Sequence, residues 1–179
     1  MHRFNAAILL VAFLLTGCSS ELDRVQVAEF IDRADDAARK RFAPEICALR
    51  GKNFNLHVTF HGDGADEPSE LEMTRKLFCR EAGSFSQLRQ YRLERKSMRI
   101  DLAKDRKTAK VTAEYVETMP FYDPHHNAVT LDDFREFQVV EILDESTVGI
   151  EDGDLVFLST RSEAHQTLVS KMSVDIPYD

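Results

Sequence analysis

From Leu88 to Thr160 apolar residues recur at every second position, and this alternation limits the fold more than any other feature of the chain. Tyr91 and Leu93 lie on one parity, whereas Met98, Ile100 and Leu102 lie on the other, so a β-bulge near Lys96 is expected between them. A polar turn at 103–108 leads into a strand ending near Thr118, followed by a loop containing M-P-F-Y-D-P-H-H-N. Phe134 to Leu143, Thr147 to Glu151 and Leu155 to Thr160 read as a closing meander, with Asp152-Gly153 as its last hairpin turn. Beyond Arg161 the pattern fits either a short helix or a strand. Antiparallel strands of this kind need a cover for one face.

The cover comes from the N-terminal half, where the period is helical. Val27, Phe30, Ile31, Ala34, Ala37, Ala38 and Phe42 recur every three or four residues behind a cap at Ser20-Glu21-Leu22-Asp23. Asp32, Arg33, Asp35, Asp36, Arg39 and Lys40 fill the opposite side. Pro44 stops this helix and opens a short second one that carries Cys47, with Gly51 as its terminator. Residues 52–62 then alternate strictly: Phe54, Leu56, Val58 and Phe60 face one way, and Asn55, His57, Thr59 and His61 the other. Ser69-Glu70-Leu71-Glu72 reads as a capping box for a third helix, with Leu71, Met73, Leu77, Phe78 and Cys79 inward and Gly83 at its end.

These elements predict an α+β domain in which about three N-terminal helices pack on a curved antiparallel sheet. The order α-α-β-α-β-β-β-β resembles the nuclear transport factor 2-like, or cystatin-like, cone. The resemblance covers residues 20–160 and implies a pocket between the concave sheet face and the helices. It also implies relatives that include ketosteroid isomerases, polyketide cyclases, dehydratases and non-catalytic ligand-binding domains. The isomerases take an oxyanion-hole tyrosine from the first helix, but residues 20–43 contain none. Those catalytic roles therefore do not transfer, and no catalytic residue is assigned.

The first 17 residues stand outside this fold. Ala6 to Leu15 is an uncharged apolar run behind Arg3, about 15 Å long as a helix and half of what a membrane crossing requires. Leu15-Thr16-Gly17-Cys18 resembles the lipobox of bacterial lipoproteins. That resemblance implies a signal peptide at 1–17, cleavage before Cys18, a diacylglycerol on its sulfur and an acyl chain such as palmitate on its amine. Ser19 behind it favours the outer membrane, facing the periplasm. The mature domain, 18–179, keeps 162 of 179 residues, with 22 Lys+Arg against 31 Asp+Glu once Arg3 is removed. This net charge of −9 makes nucleic acid an unsuitable partner.

Cys47 and Cys79 form an isolated pair in an exported chain, which fits a disulfide; two separate buried thiols are the alternative. His57 and His61 share a strand face but lie about 13 Å apart, too far for one ion, and read as surface residues. His125 and His126, near Asp123, Asp132 and Asp133, read as a polar loop; Zn²⁺ binding or pH sensing is the alternative, but spacing names no third ligand. Neither a metal nor a cofactor is called for. Nine Lys+Arg against three Asp+Glu over 89–110, and six acids without a base over 141–157, read as solvated faces, with strands that pair or separate docking surfaces for a partner as the alternatives.

The functional expectation is a membrane-tethered, non-catalytic domain that binds a small apolar ligand or an envelope protein. The alternative is a lipid-tethered enzyme of the cyclase, dehydratase or isomerase type, with Tyr115 and Glu117 as pocket groups. Homodimerisation through the sheet's open face is common among proteins of this kind, and the residues neither require nor exclude it.

Overall fold

Asp23 starts the first helix. Its side chain accepts a hydrogen bond from the backbone N–H of Gln26, whose side-chain oxygen accepts one from the Asp23 backbone N–H, completing a capping box three residues after Ser20. In the computed structural model, which describes residues 21–62, 67–85, 90–120 and 136–170, this helix is α1, Arg24–Arg39. It ends before Pro44 is reached. Arg41 adopts a left-handed conformation (φ 54°) and donates to the Ala38 carbonyl, while Phe42 donates to that of Ala37, closing a Schellman-type cap. Phe42 is consequently turned outward, 53% exposed, rather than packed within the helix's inner stripe. The short helix α2, Ala43–Ala48, follows with Pro44 in its first turn. Gly51 does not terminate it, because it is buried in the next strand.

That strand is β1, Arg50–His61, and it hairpins with β2, Ser69–Thr74. The expected capping box at Ser69 is thus a strand, and helix α3 begins only at Arg75 and runs through Gly83 to Phe85. Ser-Glu-Leu-Glu-Met-Thr also alternates with a period of two, and pairing Leu71 with Val58 and Met73 with Leu56 lets the sheet prevail over a local helical signal. Among the described residues four longer strands follow: β3 (Arg92–Leu102), β4 (Thr108–Pro120), β5 (Glu136–Glu151) and β6 (Asp154–Ser170). The bulge lies between Arg95 and Ser97, as the parity change at Lys96 requires. Asp152 and Gly153, both at positive φ, form the final turn. The three segments expected of the closing meander are two strands, with a register shift at Thr147/Val148, and β6 takes up the region after Arg161.

The sheet order is β2-β1-β6-β5-β4-β3. Every pairing is antiparallel except β1 with β6, so the sheet is mixed and not wholly antiparallel. Alternation reports which face a residue occupies but not which way its strand runs, and the sequence is silent on this point. Helix α1 lays Val27, Phe30, Ile31 and Ala37 over the concave face, where they join Ile46, Leu49, Phe54, Val111, Val148 and Phe157 in one core. Phe30 and Phe157 meet with ring centroids 4.8 Å apart. A disulfide joins Cys47 of α2 to Cys79 of α3 across 5.4 Å between Cα atoms. Among the described residues no helix is long and apolar enough to cross a membrane. Cys18 and the His125-His126 loop lie outside them.

Candidate functional site

The curved sheet leaves one side of its concave face unfilled. A cavity of about 400 Å³ opens there, walled by α1, α3 and alternate residues of the central strands. Most of its lining is aliphatic or aromatic, including Ile31, Leu56, Val58, Phe78, Leu93 and Ile142. Four carboxyl groups and one guanidinium also line it, from Asp35, Glu81, Glu117, Asp144 and Arg50.

Asp144 continues the inward parity of Ile142 and Ser146 along β5. Burial pushes its carboxyl up to about 6, although a hydrogen bond from Ser162 Oγ to Oδ1 (2.5 Å) and the charge of Arg50 both oppose the rise. Glu117, two residues beyond Tyr115 on β4, is raised first by burial and further by the charge of Asp144, against a 2.7 Å hydrogen bond donated by Tyr91. Asp35 faces inward from α1 and is only 4% exposed. Burial raises its pKa; Arg95 Nη1 at 2.7 Å and the Tyr115 hydroxyl at 3.2 Å hold it back. The phenols of Tyr91 and Tyr115 are both raised by burial and stay protonated as donors.

Arg50 sits at the start of β1 against three rings, 4.2 Å from the Phe157 centroid, 4.8 Å from Phe78 and 5.1 Å from Phe54. Its Nε and Nη1 are buried and have no hydrogen-bond partner among the described residues. Burial lowers its pKa to about 10, which leaves it charged at neutral pH. A buried cation with two unpaired donors is costly unless an anion or a strongly polarised oxygen meets it.

Tyr115 and Glu117, expected as pocket groups, both line the cavity. Asp35 is the correction: α1 carries it on the inner side, not among the solvated acids, because Arg95 and Tyr115 satisfy it there. Asp144 and Arg50 were missed. The first fell in a break between two expected strands and inside an acidic run, and the second in a presumed helix end. The parity of Ile142 carried the signal for Asp144; no local signal marked Arg50. His57 lies 3.3 Å from Glu72 on the opposite face, and Lys110 reaches Glu145 there at 2.9 Å, one instance of the basic and acidic runs pairing.

An α+β cone closed by helices over a mixed sheet, with a polar-tipped apolar cavity, defines the nuclear transport factor 2-like fold. Solved structures agree at the level of fold. A hexachlorocyclohexane dehydrochlorinase, LinA-type3 from Novosphingobium barchaimii LL02, is 6% identical and superposes with a TM-score of 0.58, covering 87% of this chain and 97% of its own. A candidate scytalone dehydratase from Novosphingobium aromaticivorans DSM 12444 is 12% identical with a TM-score of 0.54, covering 85% and 89%. An NTF2-like protein of unknown function from Pseudomonas putida KT2440 is 10% identical with a TM-score of 0.52, covering 87% and 93%. No family model matches the sequence, and the search of curated proteins finds no match.

Proposed function

We propose that this chain is an acid–base enzyme of the elimination or isomerisation type, acting on a small, largely apolar carbonyl compound. The observation that supports it is the shared cavity of Asp144, whose pKa of about 6 suits a base near neutrality, and the Arg50 guanidinium, whose Nε and Nη1 lack hydrogen-bond partners among the described residues. Asp144 takes a proton from the carbon next to the carbonyl. The electron pair moves onto the carbonyl oxygen, and the Arg50 guanidinium holds the resulting enolate. In an isomerisation Asp144 returns the proton to a different carbon. In an elimination the leaving group departs with a proton supplied by Glu117, whose pKa is raised by burial. The dehydrochlorinase and dehydratase names among the structural neighbours favour the same class without fixing the substrate.

The enzyme is held at a membrane by lipid on Cys18, on the periplasmic side of the outer membrane. Labelled palmitate entering the wild-type chain but not the C18S variant is the expected result. For the chemistry, a panel of small apolar ketones and β-hydroxy ketones in D2O should include one that loses its α-proton signal or its hydroxyl. D144N should slow that reaction by about a hundredfold or more. A compound that binds the cavity tightly and never exchanges would return the chain to a non-catalytic ligand-binding role.

A further inference from the structure

The sheet's other face, away from the cavity, carries a second cluster. The parallel register of β1 and β6 sets His61 directly across from His165. Both alternate with cavity-lining residues, Val58 on one strand and Ser162 and Ala164 on the other, so both project outward. Glu163 stands two residues before His165 and shares that face. Its Oε1 lies 3.3 Å from His61 Nε2 and 3.7 Å from His165 Nε2. One ligand atom from each of the three lies within 4.8 Å of the others. The imidazoles stack with centroids 4.2 Å apart and planes 9° apart, and His61 Nε2 is buried without a hydrogen bond among the described residues.

We propose that His61, Glu163 and His165 bind one divalent transition-metal ion of the zinc type, through the two Nε2 atoms and a Glu163 carboxylate oxygen. Ligands about 2.0–2.2 Å from a tetrahedral zinc stand roughly 3.2–3.6 Å from one another. The 3.3 Å separation already meets this, and the 3.7 Å separation is within a small side-chain adjustment. Two imidazoles with one carboxylate suit zinc, cobalt, nickel or copper, whereas calcium and magnesium prefer oxygen donors throughout. Stacked rings aim their lone pairs in similar directions, so one ring must turn to converge on the ion. The His165 side chain, 56% exposed, has room to do so. Glu141, paired with His165 on the neighbouring strand, adds negative charge on the same face. The fourth position is left to water. Bound there, the ion ties β1 to β6, the parallel junction of the sheet. The site lies on the opposite face from Asp144 and Arg50 and does not depend on the proposed reaction.

The test is a calorimetric titration of purified, chelator-stripped protein with Zn²⁺, alongside Co²⁺ followed by visible absorption. A single site with a Kd of about 10 μM or tighter is expected. H61A and H165A should each weaken it about tenfold or more and E163Q by less, while H57A should leave it unchanged. Zinc should raise the melting temperature of the wild type but not of the H61A/H165A double variant. If H61A fails to fold, H165A and E163Q alter exposed side chains and keep the comparison readable. The proposal is overturned if neither metal binds at about 1 mM. It is equally overturned if the double variant binds with unchanged affinity, since the ion would then sit elsewhere, for example at His125 and His126.

Discussion

Arg95, on the edge strand β3, reaches over the cavity rim to Asp35 of α1 and closes on its carboxylate at 2.7 Å, while its second terminal nitrogen holds Asp32 at 2.6 Å. This contact lets an acid sit 4% exposed beside the cavity, and it ties helix to sheet at the bulge where Arg95 leaves the regular register. R95A should therefore cost roughly 2–4 kcal/mol, because Asp35 would be left buried with Tyr115 and the more distant Arg39 as partners. R95A/D35N should recover much of that loss in a urea denaturation cycle. A loss for R95A below about 0.5 kcal/mol, the range of an exposed pair, would show that the bridge carries no structural weight.

The pKa of Asp144 gives a pH dependence of defined sign. Its folded value, about 6, lies above its ordinary value of 3.8, so the folded state holds the proton more tightly than the unfolded one. Stability from this group is fully present below about pH 4, falls between about pH 4 and 6, and is flat above that. D144N should stabilise the fold at pH 7.5 by roughly 1–3 kcal/mol, and the difference should shrink towards pH 4. Thermal melts of both proteins at several pH values test this. A D144N protein less stable than wild type at pH 7.5 would contradict it.

Arg50 separates binding from stability. Its cation–π contacts with Phe54, Phe78 and Phe157 offset part of the burial cost but leave Nε and Nη1 unpaired. R50M keeps the stem, removes the charge, and should melt at or above the wild-type temperature. The same variant should lose turnover of any compound that the D2O screen identifies. A marked drop in melting temperature would mean that Arg50 serves the fold rather than a ligand.

Cys47 and Cys79 close a loop of 32 residues that joins α2 to α3, and with it the helical side of the cavity. C47A/C79A should lower stability by about 2–4 kcal/mol, mainly by freeing the unfolded chain. Chemical denaturation with and without reductant provides the measurement. Equal midpoints under both conditions would show that the bond adds nothing.

Much of the fold was written locally. The inner stripe of α1 from Val27 to Ala37, the alternation of β1, the parity change at Lys96 and the Asp152-Gly153 turn each follow from side-chain spacing over a few residues, although Asp35 joins that stripe and Phe42 leaves it. The errors fell where a short segment satisfied two rules at once. Ser69 to Thr74 carries both a capping box and a two-residue period, and only pairing with β1 selects the strand. Parity placed Tyr115 and Glu117 on one shared face of their strand, and the folded sheet turns that face to the cavity.

By itself, then, the sequence determined the two leading helices, the faces of the long strands and an acidic composition with an isolated pair of cysteines. Three things needed the tertiary structure: the parallel seating of β6 on β1, the burial of Asp35, Asp144 and Arg50 around one cavity, and the meeting of His61 with Glu163 and His165. The physical reason is range. Periodicity acts over one or two turns of chain, whereas strand order, pKa shifts and metal geometry depend on groups a hundred residues apart that only the folded sheet brings within a few ångströms.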